Sequence, residues 1–521
     1  MKGFNKKQGL FLKKIITNLR EKEIIKPFLD ILPNIFSKIF LLPLLFWLVL
    51  ASNGCSHRGD TAPDSPKKYD IVIMQGRVID AESNLDAIRN IGISKGVIQI
   101  IIKEPLIGKT VIDATGLIVS PGFIDLHCYR QDKENYRIKV MDGVTTVLDL
   151  EYGTSDVGGW YGVRAGEALI NYGACIGHVA IRKKVMGDPG FPLPVADGAY
   201  KTASKSELFK IKQQIEYGLK RGAVEVGFAI EYTPMASYQE LLELFRFGAK
   251  YGATCCVHLR YSGDKSIQAL EEVIELSANS GASVHVAHIT GTALRSTSQL
   301  LKMIRDARLR GMDITTGFHP YNAGQTRIES AIFNKGWQKV FGIDYKDLEW
   351  VDTGERLTKE SFERYRKVGG RVIGHNLIHK DVVKEAMLSP LTMIISDGKI
   401  KKGTGHPRGA GTYSYVLGRF VREAKILTWM EALRKMTLMP AKRLEGRVPM
   451  MKNKGRIRVG ADADITIFNP ERIIDRSTFR EPARYSEGIK YVLVNGVLVV
   501  KDGKIRGGVA PGKPIRGPIK R

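Results

Sequence analysis

The sequence predicts an α/β fold: a (β/α)8 TIM barrel, with a composite β-sandwich built from segments near both ends of the chain. Three observations predict it. From residue 119 to 444, short apolar runs alternate with amphipathic segments such as "KSELFKIKQQIEYGLKRG" and "SYQELLELFRFGAKYG", the rhythm of repeated βα units. Ahead of that stretch, "YDIVIMQGRVID" and "NIGISKGVIQII" are β-rich runs broken by turn residues. Behind it, "GADADITIFNP" and "IKYVLVNGVLVVKDGKI" repeat the pattern with Asn-Gly and Asp-Gly turns. The central stretch has the length of a barrel, and the flanking segments, 69–118 and 445–521, would then meet as one sandwich.

A basic segment from Lys2 to Lys38 precedes the apolar run Ile39 to Ala51, and "SNGC" then ends at Cys55. That order of charge, apolar core and small residues reads as a signal peptide or N-terminal membrane anchor over 1–55. Gly54-Cys55 resembles a bacterial lipoprotein cleavage site, although Ser52 stands where a leucine is usual. The expected location is the cell envelope, periplasmic or membrane-anchored; a start site assigned too early would instead leave a cytoplasmic protein. Residues 56–68 are polar and Pro-bearing, a linker.

The 521 residues are 43% apolar and 26% charged, an ordinary globular balance. The net charge of +26 is spread along the chain, without the interleaved basic and aromatic pattern of a nucleic-acid reader. No nucleic-acid partner is expected; the charge suits solubility or an anionic membrane surface. Five cysteines are too few and too irregular for a disulfide framework, and the adjacent Cys255 and Cys256 read as core packing.

Barrel chemistry sits where strands end. Six apolar runs end in His127 and Tyr129, Asp149 and Glu151, His258 and Arg260, His285 and His288, His319 and Tyr321, and Ser396 and Asp397. Imidazole and carboxylate donors converging on one barrel mouth are what a catalytic zinc site needs.

The blocks "PGFIDLH", "GVTT", "VHLRYSGD", "HVAHITG", "HPYNAGQT", "IISDG", "HPRGAGTYSYVLGRFVRE" and "GRIRVGADAD" resemble the amidohydrolase superfamily, within it the N-acyl-D-amino-acid deacylase (D-aminoacylase) group, from about Tyr69 to about Gly507. The resemblance implies the barrel with its composite sandwich, and a metal-dependent hydrolase of amide C–N bonds. It implies that His258 and His288 bind metal at the fifth and sixth strand ends, and that His127 is the first histidine of an HxH pair. It also implies that Asp397 meets the metal and carries a proton from metal-bound water to the leaving nitrogen. Arg408 matches a residue that grips the substrate carboxylate; the bland alternative is a loop-fixing ion pair.

The chain departs from that pattern at several positions. Tyr129 replaces the second HxH histidine, and a neutral phenol is a poor metal donor. No cysteine follows GVTT; Tyr152 stands at its spacing, with Glu151 beside it as metal ligand or structural ion pair. Thr290 stands where a lysine is frequent. His319 replaces a tyrosine, as a substrate contact or a supporting residue. The expectation is therefore one tightly bound zinc rather than two. Its ligands come from His127, Glu151, His258, His288 and Asp397, and Tyr129, Arg260, His319, Tyr321 and Arg408 face a small amide substrate carrying a carboxylate. The alternatives are a cyclic amidase of the hydantoinase or dihydropyrimidinase type, and a non-catalytic binding protein that kept the pocket.

Overall fold

A computed structural model describes residues 68–520. The leader or anchor, Cys55 and nearly all of the linker lie outside the described residues. Among the described residues, no helix is long and apolar enough to cross a membrane.

Eight parallel strands form the barrel: β1 (Phe123–Asp125), β2 (Val144–Thr154), β3 (Asn171–Gly177), β4 (Val226–Ala229), β5 (Cys255–His258), β6 (Val284–Val286), β7 (Ile314–Phe318) and β8 (Thr392–Ile394). They pair in sequence order from β1 to β8. At the remaining seam, Asp125 accepts from the Ser396 backbone N–H at 3.0 Å and its hydroxyl at 2.5 Å, and pairs with the Lys139 ammonium at 2.9 Å. A carboxylate thus staples the end of β8 to β1 where the ladder stops.

Strand alternation divides the side chains. Val226, Phe228, Cys255, Val257, Val284 and Val286 join the layer packed against the helices. Ile124, Leu126, Leu148, Leu150, Cys175, Cys256 and Met393 fill the interior, closed below by Leu444, Val448, Met451 and Ile515. The cysteine pair is core packing, one residue in each cluster. Both predicted helices form. Lys205–Lys220 begins with a Ser204–Glu207 capping box and buries Ile211, Ile215 and Leu219 at four-residue spacing. Each such burial contributes roughly 1.5–3 kcal/mol. The second helix, Tyr238–Tyr251, is capped by Ser237 and ends at Gly252 in the left-handed region.

The flanking segments meet as expected, but in one continuous nine-stranded sheet. Its first strand, Lys68–Asp80, runs parallel to Ile107–Asp113 through its first half and to Ile118–Pro121 through its second, with an irregularity between Ile73 and Gly76. A Cβ at Gly76 would stand 2.4 Å from Val119, so the strand bends over its neighbour only with glycine there. Ile93, Ile112, Ile465 and Leu498, from strands spread across the sheet, share one core. The C-terminal boundary needs correction. Residues after Ile505 leave the sheet and run along the barrel, where Ile515 donates its N–H to Tyr172 O and its carbonyl accepts from Tyr161.

The βα rhythm also breaks between β7 and β8, contrary to expectation. Gly324–Arg327, Arg371–Gly374, Leu348–Trp350 and Glu355–Arg356 form a four-stranded antiparallel sheet. It has its own core, in which Trp350 stacks on Tyr365 at 4.0 Å and Trp337 on Phe362 at 5.4 Å. This insertion forms one wall of the pocket over the barrel mouth.

Candidate active site

Glu151 lies at the centre of the mouth. With Leu148 and Leu150 inside the barrel, strict alternation would turn Glu151 outward. The register of β2 against β3 instead slips between Asp149 and Thr154. The slip is held by Asp149, whose Oδ1 accepts from the Tyr152 and Gly153 backbone N–H groups at 3.1 and 2.9 Å. It needs Gly153, at φ +61°, because a Cβ there would meet Cys175 O at 2.4 Å. The bulge re-aims the carboxylate onto the barrel axis.

Around Glu151, Oε1 lies 3.1 Å from His258 Nδ1, while Oε2 lies 3.0 Å from His288 Nε2 and 3.5 Å from His127 Nδ1. The Tyr129 hydroxyl lies 2.8 Å from the same Oε2 and 2.6 Å from Asp397 Oδ1. Ligand atoms of Glu151, His258 and His288 fall within 4.8 Å of one another, a group able to hold a metal ion. His127 reaches Glu151 but stands outside that group, and so does Asp397.

The chemistry of these donors fits a cation. His258 Nε2 lies 2.8 Å from Glu231 Oε2, which as a carboxylate only accepts, so Nε2 carries the proton. Nδ1 faces Glu151; without an ion it donates a second proton there, and a cation would take that proton's place. Burial pushes the His258 imidazole down, but Glu151 and Glu231 together push it up to about 10. Burial likewise pushes the Glu151 carboxyl up, but His288, His127 and His258 hold it well below the usual carboxylate range. The backbone is strained here too: His288 has φ +23° and Asp397 φ +51°.

Asp397 receives the Tyr129 hydroxyl on Oδ1 and the Arg408 guanidinium on Oδ2 at 2.8 Å. Arg408 also donates to His319 Nε2 at 2.9 Å. Burial and the neighbouring Arg408 charge hold His319 well below its ordinary value, so it is neutral. A pocket of about 920 Å³ opens above these groups. Trp160, Phe191, Pro192 and Leu193 form one apolar wall, and Ile332, Phe333, Phe341 and Ile343 of the insertion another.

A model described as the amidohydrolase family matches residues 397–500. An N-acyl-D-glutamate deacylase of Alcaligenes xylosoxydans xylosoxydans is 27% identical over 480 residues, 83% of this chain and 94% of that protein. A D-aminoacylase of the same organism is 25% identical, over 83% and 94%. The crystal structure of N-acyl-D-glutamate deacylase from Bordetella bronchiseptica, complexed with zinc and a phosphonate inhibitor, superimposes with a TM-score of 0.75 at 25% identity. It covers 87% of this chain and 100% of that one. The chain is similar to amidohydrolases, and among them it is D-aminoacylase-like.

Two expected substrate contacts need correction. The Arg260 guanidinium is held by Glu272 through two bonds of 2.8 Å and by Pro234 O, and does not line the pocket. Its position after His258 carries it past the mouth and onto the following helix. Tyr321 is buried between Tyr415, stacked at 4.8 Å, and His406, also away from the pocket. Tyr129, His319 and Arg408 do line it. Tyr152, at the spacing of the missing cysteine, bonds Pro192 O with its hydroxyl and leaves the centre to Glu151. Thr290 is fully buried.

Glu231 and Lys399 were not anticipated. Glu231 follows the apolar run "EVGFAIEY", so the strand-end rule would have found it had it been applied to β4. It also accepts from Ser262 Oγ at 2.8 Å.

Proposed function

We propose that this amidohydrolase is a zinc-dependent deacylase of N-acyl amino acids, and that Glu151, His258 and His288 hold the ion. The carrying observation is the convergence of those three donors beside Asp397, with the proton on His258 committed to Glu231. When bound, zinc supplies a Lewis acid for the amide carbonyl and acidifies water. The protein groups do the rest. Glu231 and Thr292 fix the two imidazoles, His258 through Nε2 and His288 through Nδ1 at 3.2 Å. Asp397, oriented by Arg408 and Tyr129, accepts the proton of the attacking water and delivers it to the nitrogen as the C–N bond breaks.

One ion rather than two is part of the proposal. Tyr129 puts a neutral hydroxyl between Glu151 and Asp397, two carboxylates that would otherwise be free to hold a second cation. Burial first, then the two carboxylates, raise its phenol well above the ordinary value, so it keeps its proton. The size of the pocket and its apolar walls favour an open-chain acyl group over a small cyclic amide. The basic and apolar N-terminal segment, read as leader or anchor, supports a cell-envelope location.

The test combines zinc analysis with a hydrolysis screen of N-acyl amino acids and cyclic amides. The expected result is about one equivalent of zinc, with turnover of open-chain substrates that Asp397→Asn abolishes without loss of zinc. A zinc-loaded protein that opens only cyclic amides, or an Asp397→Asn variant of undiminished activity, overturns the reading.

A further inference from the structure

The cations lining the pocket differ in what they already hold. Arg408 holds Asp397 and His319. Arg327 pairs with Glu329, Arg371 with Asp352 at 2.7 Å, and Arg130 with Asp132. Lys401 and Lys402 are exposed at the rim. Lys399 is unlike all of these. It lines the pocket, is only partly exposed, and its ammonium has no hydrogen bond and no carboxylate within 4.0 Å among the described residues. Nζ stands over the face of Tyr129, 5.7 Å from the ring centroid.

We propose that Lys399 binds a carboxylate of the substrate. The inference rests on the N-acyl amino acid reading above. The Tyr129 hydroxyl touches Glu151 and Asp397, and its ring lies beneath Lys399, so the ammonium stands one phenol ring from the reacting groups. In an N-acyl amino acid, three bonds separate the scissile carbonyl carbon from the α-carboxylate carbon, a spacing that suits this distance. A half-buried ammonium without a partner is costly, and a ligand carboxylate supplies the missing charge.

The test compares zinc-loaded full-length wild type with Lys399→Met on N-acetyl-D-methionine, its methyl ester, and N-acetyl-D-glutamate. A charge-assisted contact predicts a KM about 10- to 100-fold higher for the acids, with kcat and zinc content retained and the ester unaffected. Lys399→Arg should recover part of the loss. A penalty on both acids assigns Lys399 to the α-carboxylate; a penalty on the glutamate alone assigns it to a side-chain carboxylate. Unchanged KM for every acid overturns the proposal. If wild type turns over none of them, the deacylase reading fails, and calorimetric binding of the same acids then decides. Weaker binding to Lys399→Met supports the carboxylate site; equal binding, or none to wild type, overturns it. Lys399→Gln replaces the methionine variant if that one misfolds.

Discussion

In a Tyr129→His variant, an imidazole replaces the phenol whose single proton lies between Glu151 and Asp397. With bonds of 2.8 and 2.6 Å to one hydroxyl, the two carboxylate oxygens stand no more than about 5.4 Å apart, and their repulsion at an effective dielectric of about 20 is about 3 kcal/mol or more. Once the phenol proton is gone, a cation relieves that repulsion, which favours a second ion by roughly 100-fold before the new imidazole contributes as a ligand. His127 is already beside Glu151, and neither of its ring nitrogens has a hydrogen-bond partner among the described residues. The expected outcome is about two equivalents of zinc after dialysis, where wild type keeps about one. Mass-spectrometric metal analysis and titration against a chelator measure this, with circular dichroism as a folding control. A folded variant whose zinc stoichiometry and affinity match wild type would refute the account of Tyr129 as the occupant of a second cation position.

Two further outcomes follow from groups around the site and below it. Glu231→Ala removes the acceptor that fixes the His258 tautomer, and should weaken zinc binding about 10- to 100-fold in chelator competition. Unchanged affinity would show that Glu151 alone suffices to orient the ring. Below the barrel, burial pushes the Glu225 carboxyl from 4.5 up to about 7. Since the folded state holds this proton more tightly than the unfolded chain, the group's contribution is complete below about pH 4.5. It is lost as pH rises through 7, a change of about 3 kcal/mol. In denaturant titrations across that window, Glu225→Gln should lack this part of the pH dependence; parallel profiles for the two proteins would contradict it.

Strand ends were legible in sequence because an apolar run has to stop where solvent begins, and His258, His288, Glu151 and Asp397 all follow such runs. Arg260 follows one as well, yet it turns to Glu272 on the next helix, a partner that no strand pattern reveals. The insertion between β7 and β8 escaped because its four strands are two to four residues long, too short to show a period. Lys399 reads in sequence as one more lysine in a basic chain. That its ammonium has no acid partner is a statement about every neighbour at once.

The barrel, the joining of its two flanking segments and the identity of the donors can be read locally, because period, turn residues and side-chain chemistry are local. Tertiary structure alone decided which donors meet. It brought Glu151 inward through a slip of β2 against β3, set Glu231 behind His258, and placed Tyr129 between two carboxylates that are 246 positions apart (151 and 397) in the chain. Those contacts depend on the relative positions of separate strand ends, and such distances are fixed only when the barrel closes.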